Sequence, residues 1–167
     1  MDIIRHKSTN WVRNSVASVS FKELEENALL HWHEFYEIEI ILDGEGIYSA
    51  DSIDYPIKPG MLIFMSPSSC HYVKFARKTK LINMMFVLDA CDPDFLYGLF
   101  EDSPHVVFCL SQADLELISI LATEMTEATS IPYLSVMLNS VLGKIKTLHD
   151  KENSSFKNNA MQYATLY

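Results

Sequence analysis

The sequence is short of thiols, of leader-like features, of long apolar runs and of positive charge, and each shortage removes a class of protein. Its three cysteines, Cys70, Cys91 and Cys109, are an odd number without CxxC spacing. That excludes a disulfide framework and a thiolate zinc site as organising features. The start, Met1-Asp2-Ile3-Ile4-Arg5-His6, has no apolar core behind a basic head, so it does not read as a signal peptide. No apolar run approaches the length that spans a bilayer. The expectation is a reduced, soluble, cytoplasmic protein without a membrane partner. Thirteen Lys and Arg stand against 22 Asp and Glu, a net charge of −9. Such a chain repels a phosphate backbone, and any contact with nucleic acid is expected to come from another domain.

What is present is ordinary globular composition: 167 residues, 49% apolar and 21% charged. That suits one domain with a substantial core. Residues 1–10 are mostly polar and read as a mobile arm. Ala17 to Phe21 alternates apolar and polar residues as a first strand, and Lys22 to Asn27 reads as a charged connection. Ile38 to Leu42 is a second strand. Asp43-Gly44-Glu45-Gly46 then predicts a hairpin turn, with Ile47 to Ala50 returning as its partner. Further strands are expected around Tyr55–Ile57, Met61–Met65, Tyr72–Phe75, Leu81–Leu88 and His105–Leu110, with a basic turn at Arg77 to Lys80 and an irregular stretch from Asp89 to Pro104. Apart from Asn83, Leu81–Leu88 is apolar on both parities, the pattern of a strand covered on both faces. Short strands at roughly ten-residue spacing, punctuated by Gly and Pro, indicate an all-β barrel or sandwich.

The character changes at Ser111. Ser111-Gln112-Ala113-Asp114 predicts a capped helix start, followed by Leu115, Ile118, Ala122 and Met125 at helical spacing. Ser130-Ile131-Pro132 opens a second helix, whose seam is Leu134, Leu138, Val141, Ile145 and Leu148. Two readings of this seam compete: packing on the chain's own barrel or first helix, and an isologous dimer interface. The second is preferred here, because two helices carry more apolar face than one barrel wall needs. Lys151 to Asn159 reads as a polar linker, and Ala160 to Tyr167 begins a new amphipathic pattern that breaks off. This divides the chain into an arm and barrel (1–110), a helical dimerisation appendage (111–150) and a linker (151–167).

The chemistry concentrates in one stretch. His31, His33 and Glu37 share parity on an extended chain, and His71 lies beyond the Met61–Met65 run. Three imidazoles and a carboxylate form a set that divalent transition metals accept. The same four side chains can instead line an organic-ligand pocket, or be hydrogen-bonded within the barrel for its structure. Glu39 shares the parity of Glu37 and is expected to face inward, contacting a polar ligand or pairing with a histidine. The alternative is a β-bulge near Tyr36 that turns it outward. Tyr48 is a candidate to stack on a ligand, although aromatic residues more often build the core. Cys70 beside His71 is discounted as a nucleophile–base pair, since neighbours on a strand face opposite sides.

The run His31-x-His33-x3-Glu37-x6-Gly44 resembles the first cupin motif, and Pro59-Gly60 with Pro67-x3-His71 resembles the second. Glu25 stands where a glycine normally precedes the first motif, and Phe75 where an asparagine often closes the second. Together with the two trailing helices, the pattern is similar to the N-terminal sensor domain of AraC-type transcriptional regulators. The resemblance implies a mainly β fold: a cupin-type barrel (a double-stranded, jelly-roll-like β-helix) followed by two α-helices. It implies a small effector, often a sugar, in the barrel; the residues read here as binding it are His31, His33, Glu37, Glu39, His71 and Tyr48. Helices used for dimerisation are implied as well, for which the seam Leu134, Leu138, Val141, Ile145 and Leu148 is the candidate, with DNA contacted only through a separate C-terminal domain. Neither catalysis nor a cofactor is expected on this reading. The alternative is a free-standing metal-dependent cupin enzyme holding its metal on His31, His33, Glu37 and His71.

Overall fold

The computed structural model describes residues 3–7, 10, 12, 16–67 and 69–164, the last ten by their backbone alone. Among the described residues, ten strands precede two long helices: β1 (Ile4–His6), β2 (Ala17–Leu24), β3 (Ala28–His33), β4 (Tyr36–Asp43), β5 (Gly46–Ala50), β6 (Ile53–Ile57), β7 (Met61–Met65), β8 (His71–Phe75), β9 (Thr79–Phe86), β10 (His105–Cys109), α1 (Gln112–Glu127) and α2 (Ile131–Ala164). Two 3₁₀ turns, Leu88–Ala90 and Pro93–Phe95, lie in the stretch expected to be irregular. The strands form two five-stranded sheets, ordered β1-β3-β8-β5-β6 and β10-β7-β4-β9-β2. Every pairing is antiparallel except β1 with β3. The architecture is the cupin-type barrel followed by two helices.

Alternation along β4 sorts the interior into two layers. Ile38 and Ile40 point away from the barrel axis into a core shared with the helices, built with Leu62, Phe64, Ile82, Phe86, Ile118 and Leu138. Ile41 packs in the other layer, between the sheets, with Tyr48, Met61, Ile63, Met65, Val73 and Leu81. Helices on its outer face are why the sheet containing β4, β7 and β9 is buried on both sides, as the two-parity apolar pattern of β9 requires. Ser111 caps α1 by accepting a hydrogen bond from the Asp114 N–H at 3.2 Å.

Several expectations are corrected. The glycine turn after β4 is not a hairpin: β5 pairs with β6 and β8, so Asp43 to Gly46 carries the chain from one sheet to the other. Both glycines are nonetheless required. At positive φ, a Cβ on Gly44 would sit 2.3 Å from Thr79 Oγ1, and one on Gly46 would sit 2.2 Å from the Lys74 carbonyl oxygen. The real two-residue hairpin turn is Asp51-Ser52, both with positive φ, between β5 and β6. The charged connection is shorter than expected, because Lys22 to Leu24 extend β2 along β9. Likewise Thr79 and Lys80 belong to β9 and not to a turn. Of the expected arm, Ile4–His6 forms a strand on β3, while residues 1, 2, 8 and 9 lie outside the described residues. The backbone of α2 stays helical through Ala164, across the segment read as a linker. The amphipathic pattern over Ala160 to Tyr167 lies outside the described side chains.

The seam of α2 is also corrected. Leu134, Leu138, Val141 and Ile145 are buried in the core shared with the barrel and α1, and Leu148 packs against it. A face already covered by its own chain is not available to a second copy. The apolar residues these helices leave exposed are others: Leu117 and Ile120 on α1, Ile131, Tyr133 and Val136 on α2.

Candidate functional site: an acid–histidine pocket between the sheets

A break at Glu34-Phe35 separates His33, the last residue of β3, from Glu37 on β4. The two therefore belong to different sheets and face each other across the interior, where one continuous strand was expected to carry both. His33 Nε2 lies 3.1 Å from Glu37 Oε2. His71, opening β8, brings its Nε2 to 3.4 Å from the same oxygen. Donor atoms of His33, Glu37 and His71 all fall within 4.8 Å of one another, and all three residues are buried. His31 stands beside them, its ring centroid 4.1 Å from that of His71.

Each contact constrains the next. His33 Nδ1 is 2.6 Å from the Phe35 carbonyl oxygen, and a carbonyl only accepts, so Nδ1 carries the proton. Its Nε2 is buried and faces the Glu37 carboxylate oxygen. His31 is fixed the same way, Nδ1 to the Leu29 carbonyl oxygen at 2.7 Å. On the far side, the Asn83 amide donates to Glu37 Oε1 at 2.8 Å and to Glu39 Oε1 at 3.3 Å, while its oxygen accepts from Lys22 Nζ at 2.9 Å. Asn83, the one polar residue in the apolar run of β9, thus ties the two carboxylates together.

The electrostatics follow from these neighbours. Burial alone would raise the Glu37 pKa, but the contacts to His33 and His71 outweigh it and hold the carboxyl well below its usual range. Burial would likewise lower that of His71, and Glu37 reverses the effect, so it is raised. Glu39 lacks such a partner. Burial, and then the charge on Glu37, push it up to about 7. Burial and the neighbouring His71 lower His31 to about 4. The site thus holds an ionised carboxylate, a carboxyl near its midpoint at neutral pH and a neutral imidazole.

These side chains line one cavity of about 340 Å³, which takes in His6, Lys22, Phe35 and Met85 besides His31, His33, Glu37, Glu39 and His71. Glu39 faces inward. The register irregularity of β4 falls between Ile41 and Asp43, not near Tyr36. It faces Asn83 and Lys22, and no hydrogen bond to a histidine forms. Tyr48 is not on the cavity wall. It is buried behind it, stacked on His71 with ring centroids 5.7 Å apart. Sequence reasoning missed His6, Lys22 and Asn83. Asn83 had a signal, an amide in a strand apolar on both parities; the other two sit in segments read as an arm and a connection.

The pocket fits a divalent transition metal. Two buried imidazole Nε2 atoms and a carboxylate converge, with both His33 and His31 pinned at Nδ1 by backbone carbonyls, as metal-ligating histidines are.

The sequence profile of the AraC-like ligand binding domain matches residues 28–83, which run from β3 into β9 and include every one of these residues except His6, Lys22 and Met85. Among solved structures, apo ToxT K231A from Vibrio cholerae superposes with a TM-score of 0.58 at 10% identity, over 85% of this chain and 59% of that one. ToxT from Vibrio cholerae O395 bound to (E)-4-(8-methylnaphthalen-1-yl)but-3-enoic acid gives 0.54 at 11% identity, over 81% and 57%. A cupin protein from Bacteroides fragilis gives 0.39 at 21% identity, over 44% and 67%. The chain therefore spans less than three-fifths of the length of the ToxT chains. No curated protein sequence matches significantly. With its ten-stranded barrel and two trailing helices the chain has a cupin-type fold, and its residues 28–83, which hold most of the pocket, are similar to the AraC-like ligand binding domain.

Proposed function

We propose that the barrel senses a small polar effector as the non-catalytic half of a transcriptional regulator, and that the effector is polyhydroxylated, as a sugar is. The observation that carries this is the pair Glu37 and Glu39, bridged by Asn83, on the wall of a cavity of about 340 Å³. Two carboxylates joined by one amide keep free lone pairs that accept hydroxyl protons, and the neighbouring imidazoles both donate and accept. A carboxylic acid of the kind bound by ToxT suits this pocket less. Its one lysine, Lys22, is already engaged by Asn83, and two carboxyl groups face the ligand.

Binding would act by population shift, favouring one arrangement of the barrel, its first strand and its helices, and so repositioning a DNA-binding domain outside this chain. Homodimerisation belongs to this proposal, but through a different face from the α2 seam. Val136 is 63% exposed and Ile120 62%, and the Tyr133 hydroxyl reaches Glu124 Oε2 at 3.4 Å, so the apolar rows of α1 and α2 lie side by side. The convergence of His33, Glu37 and His71 supports a second reading, a metal-dependent cupin enzyme. A cytoplasmic site of action belongs to the same proposal, separately from the fact that no described helix is long and apolar enough to cross a membrane.

Calorimetric titration of the chain with a panel of monosaccharides and polyols tests the effector class. The expected result is a saturable heat with one member, weakened about tenfold or more by Glu39→Gln, the effect of about 1.4 kcal/mol from one lost hydrogen bond to a charged group. A panel without a binder, or a binder indifferent to Glu39→Gln, overturns the assignment.

A further inference from the structure

The two sheets differ on their outer faces. Helices α1 and α2 cover the outer face of the sheet containing β4, β7 and β9. On the other sheet, Tyr48 and Val73 pack into the interior, so parity sends Ser49, Tyr72 and Lys74 to the outer face. Two cavities lie along β8 on that face. One of about 410 Å³ is lined by Leu30, Ser49, Asp51, Cys70 and Tyr72, among others. The next, of about 400 Å³, is lined by Asn27, Leu29, Leu30, Tyr72 and Lys74, among others. Leu30 and Tyr72 form the wall between them, so the two make one groove. It follows the chain from Cys70 to Lys74, about 13 Å of extended strand. Two polar groups in this groove stand without a partner. Ser49 is 3% exposed, and among the described residues its hydroxyl forms no hydrogen bond. Lys74 Nζ lies 5.2 Å over the Tyr72 ring centroid and forms no ion pair with any described residue, in a chain of net charge −9. Arg5 lies over Trp32 on the same face at 5.1 Å, but its charge is met by Glu34. At the far end of the groove Asp51 is fully engaged. It accepts from the Ser69 hydroxyl and, at 3.1 Å, from the Cys70 N–H, and its Oδ2 lies 3.1 Å from His105 Nδ1.

We infer that this groove docks an extended peptide segment of another protein, which sets two apolar side chains in the two cavities and an acidic side chain on Lys74. Two cavities with one shared wall suit a strand better than one compact molecule, because residues i and i+2 of an extended chain point the same way. Leu29, Leu30 and the Tyr72 ring supply the apolar walls. The buried Ser49 hydroxyl gives a passing backbone amide or carbonyl a partner, and that contact repays the cost of leaving it unpaired. Charge fixes the polarity of the segment. Lys74 is the unmatched cation of the groove, and the Asp51 carboxylate repels an acid at the other end, so the acidic residue lies at the Lys74 end. The groove is on the outside of the barrel wall and the effector pocket on the inside, so the docking stands whatever the effector is.

Amide shift mapping of the isotope-labelled full chain against two pools of capped pentapeptides tests this. Both pools alternate Leu, Ile, Val or Phe with Thr; one carries Glu at either end, and the other carries Lys there. The Glu pool is expected to give saturable shift changes at the amides of Leu30, Ser49 and Tyr72. The Lys pool should bind roughly two- to fivefold more weakly, the worth of one exposed ion pair. Lys74→Glu should invert that preference, and Ser49→Ala should weaken the Glu pool about fivefold, the net worth of one hydrogen bond. Lys74 is exposed, so its variant is expected to melt with wild type; if Ser49→Ala melts lower, the inversion at Lys74 decides alone. No shift changes with either pool would overturn the docking site, as would an unchanged preference in Lys74→Glu. Shift changes confined to the barrel pocket, at Glu37 and Asn83, would overturn it too. If the same amides instead shift with protein concentration alone, and light scattering gives a doubled mass, a second copy covers this face and the peptide assignment falls.

Discussion

The two faces of β4 are one residue apart in sequence and opposite in physics. Ile38 and Ile40 are fully buried beneath the helices among aliphatic and aromatic side chains. Glu37 and Glu39 face the other way, into a cavity, joined through Asn83 and met by two imidazoles. The first face gains from being covered. The second keeps buried charge, which costs stability unless a partner or a ligand compensates it. That difference is what supports the proposed site: the helices cover the apolar face, and the candidate pocket occupies the face that carries the polar groups.

The comparison breaks most sharply at Ile40. Ile40→Ala leaves a cavity in the core beneath the helices and is expected to cost about 2–5 kcal/mol in denaturant unfolding, with ligand affinity of the folded fraction unchanged. A loss of affinity in the folded fraction would show that the two faces are not independent. The opposite sign is expected across the strand. Glu39 has a pKa of about 7 in the folded chain against about 4.3 when unfolded, so the folded state retains a proton that the unfolded state releases across that window. Its contribution is present below the unfolded value and lost as pH rises through 7. Glu39→Gln should therefore be more stable than wild type at pH 8, by on the order of 1–3 kcal/mol, with the gain vanishing towards pH 4. Parallel pH–stability curves for the two proteins would show that Glu39 is not strained. The smallest effect is at the helix that covers the apolar face. Ser111→Ala removes the cap on the Asp114 N–H and should cost about 1 kcal/mol without altering the pH dependence.

How legible this was depends on the range of the signal. Met61–Met65 is a strand of five buried residues as its run of apolar side chains indicates, and Ser111 caps its helix as a serine three residues before an aspartate should. Those signals are local. The glycine turn was read as a hairpin because two glycines between two strands permit one. The chain instead crosses between sheets, and both glycines serve close approaches to residues far along the chain, Gly44 to Thr79 and Gly46 to Lys74. The α2 seam misled for a related reason. Its spacing shows which residues need covering and does not show by what, and the outer faces of β2, β4 and β9 supply the cover. Glu39 inward followed from parity alone, since the bulge that would have turned it lies further along the strand.

The sequence by itself determined the alternations that place Glu37 and Glu39 on one face of β4 and Ile38 and Ile40 on the other, the helix caps, and the histidine–glutamate spacing that marks the pocket. Those follow from periods of two and 3.6 residues and from backbone donors that need partners, and both act over a few residues. Tertiary structure alone decided that His33 and Glu37 meet across two sheets, that Asn83 bridges the carboxylates, and that His6 enters the cavity from a strand outside the motif. These depend on which strands become neighbours, and that is settled by burying the whole set of apolar faces at once, not by any one segment.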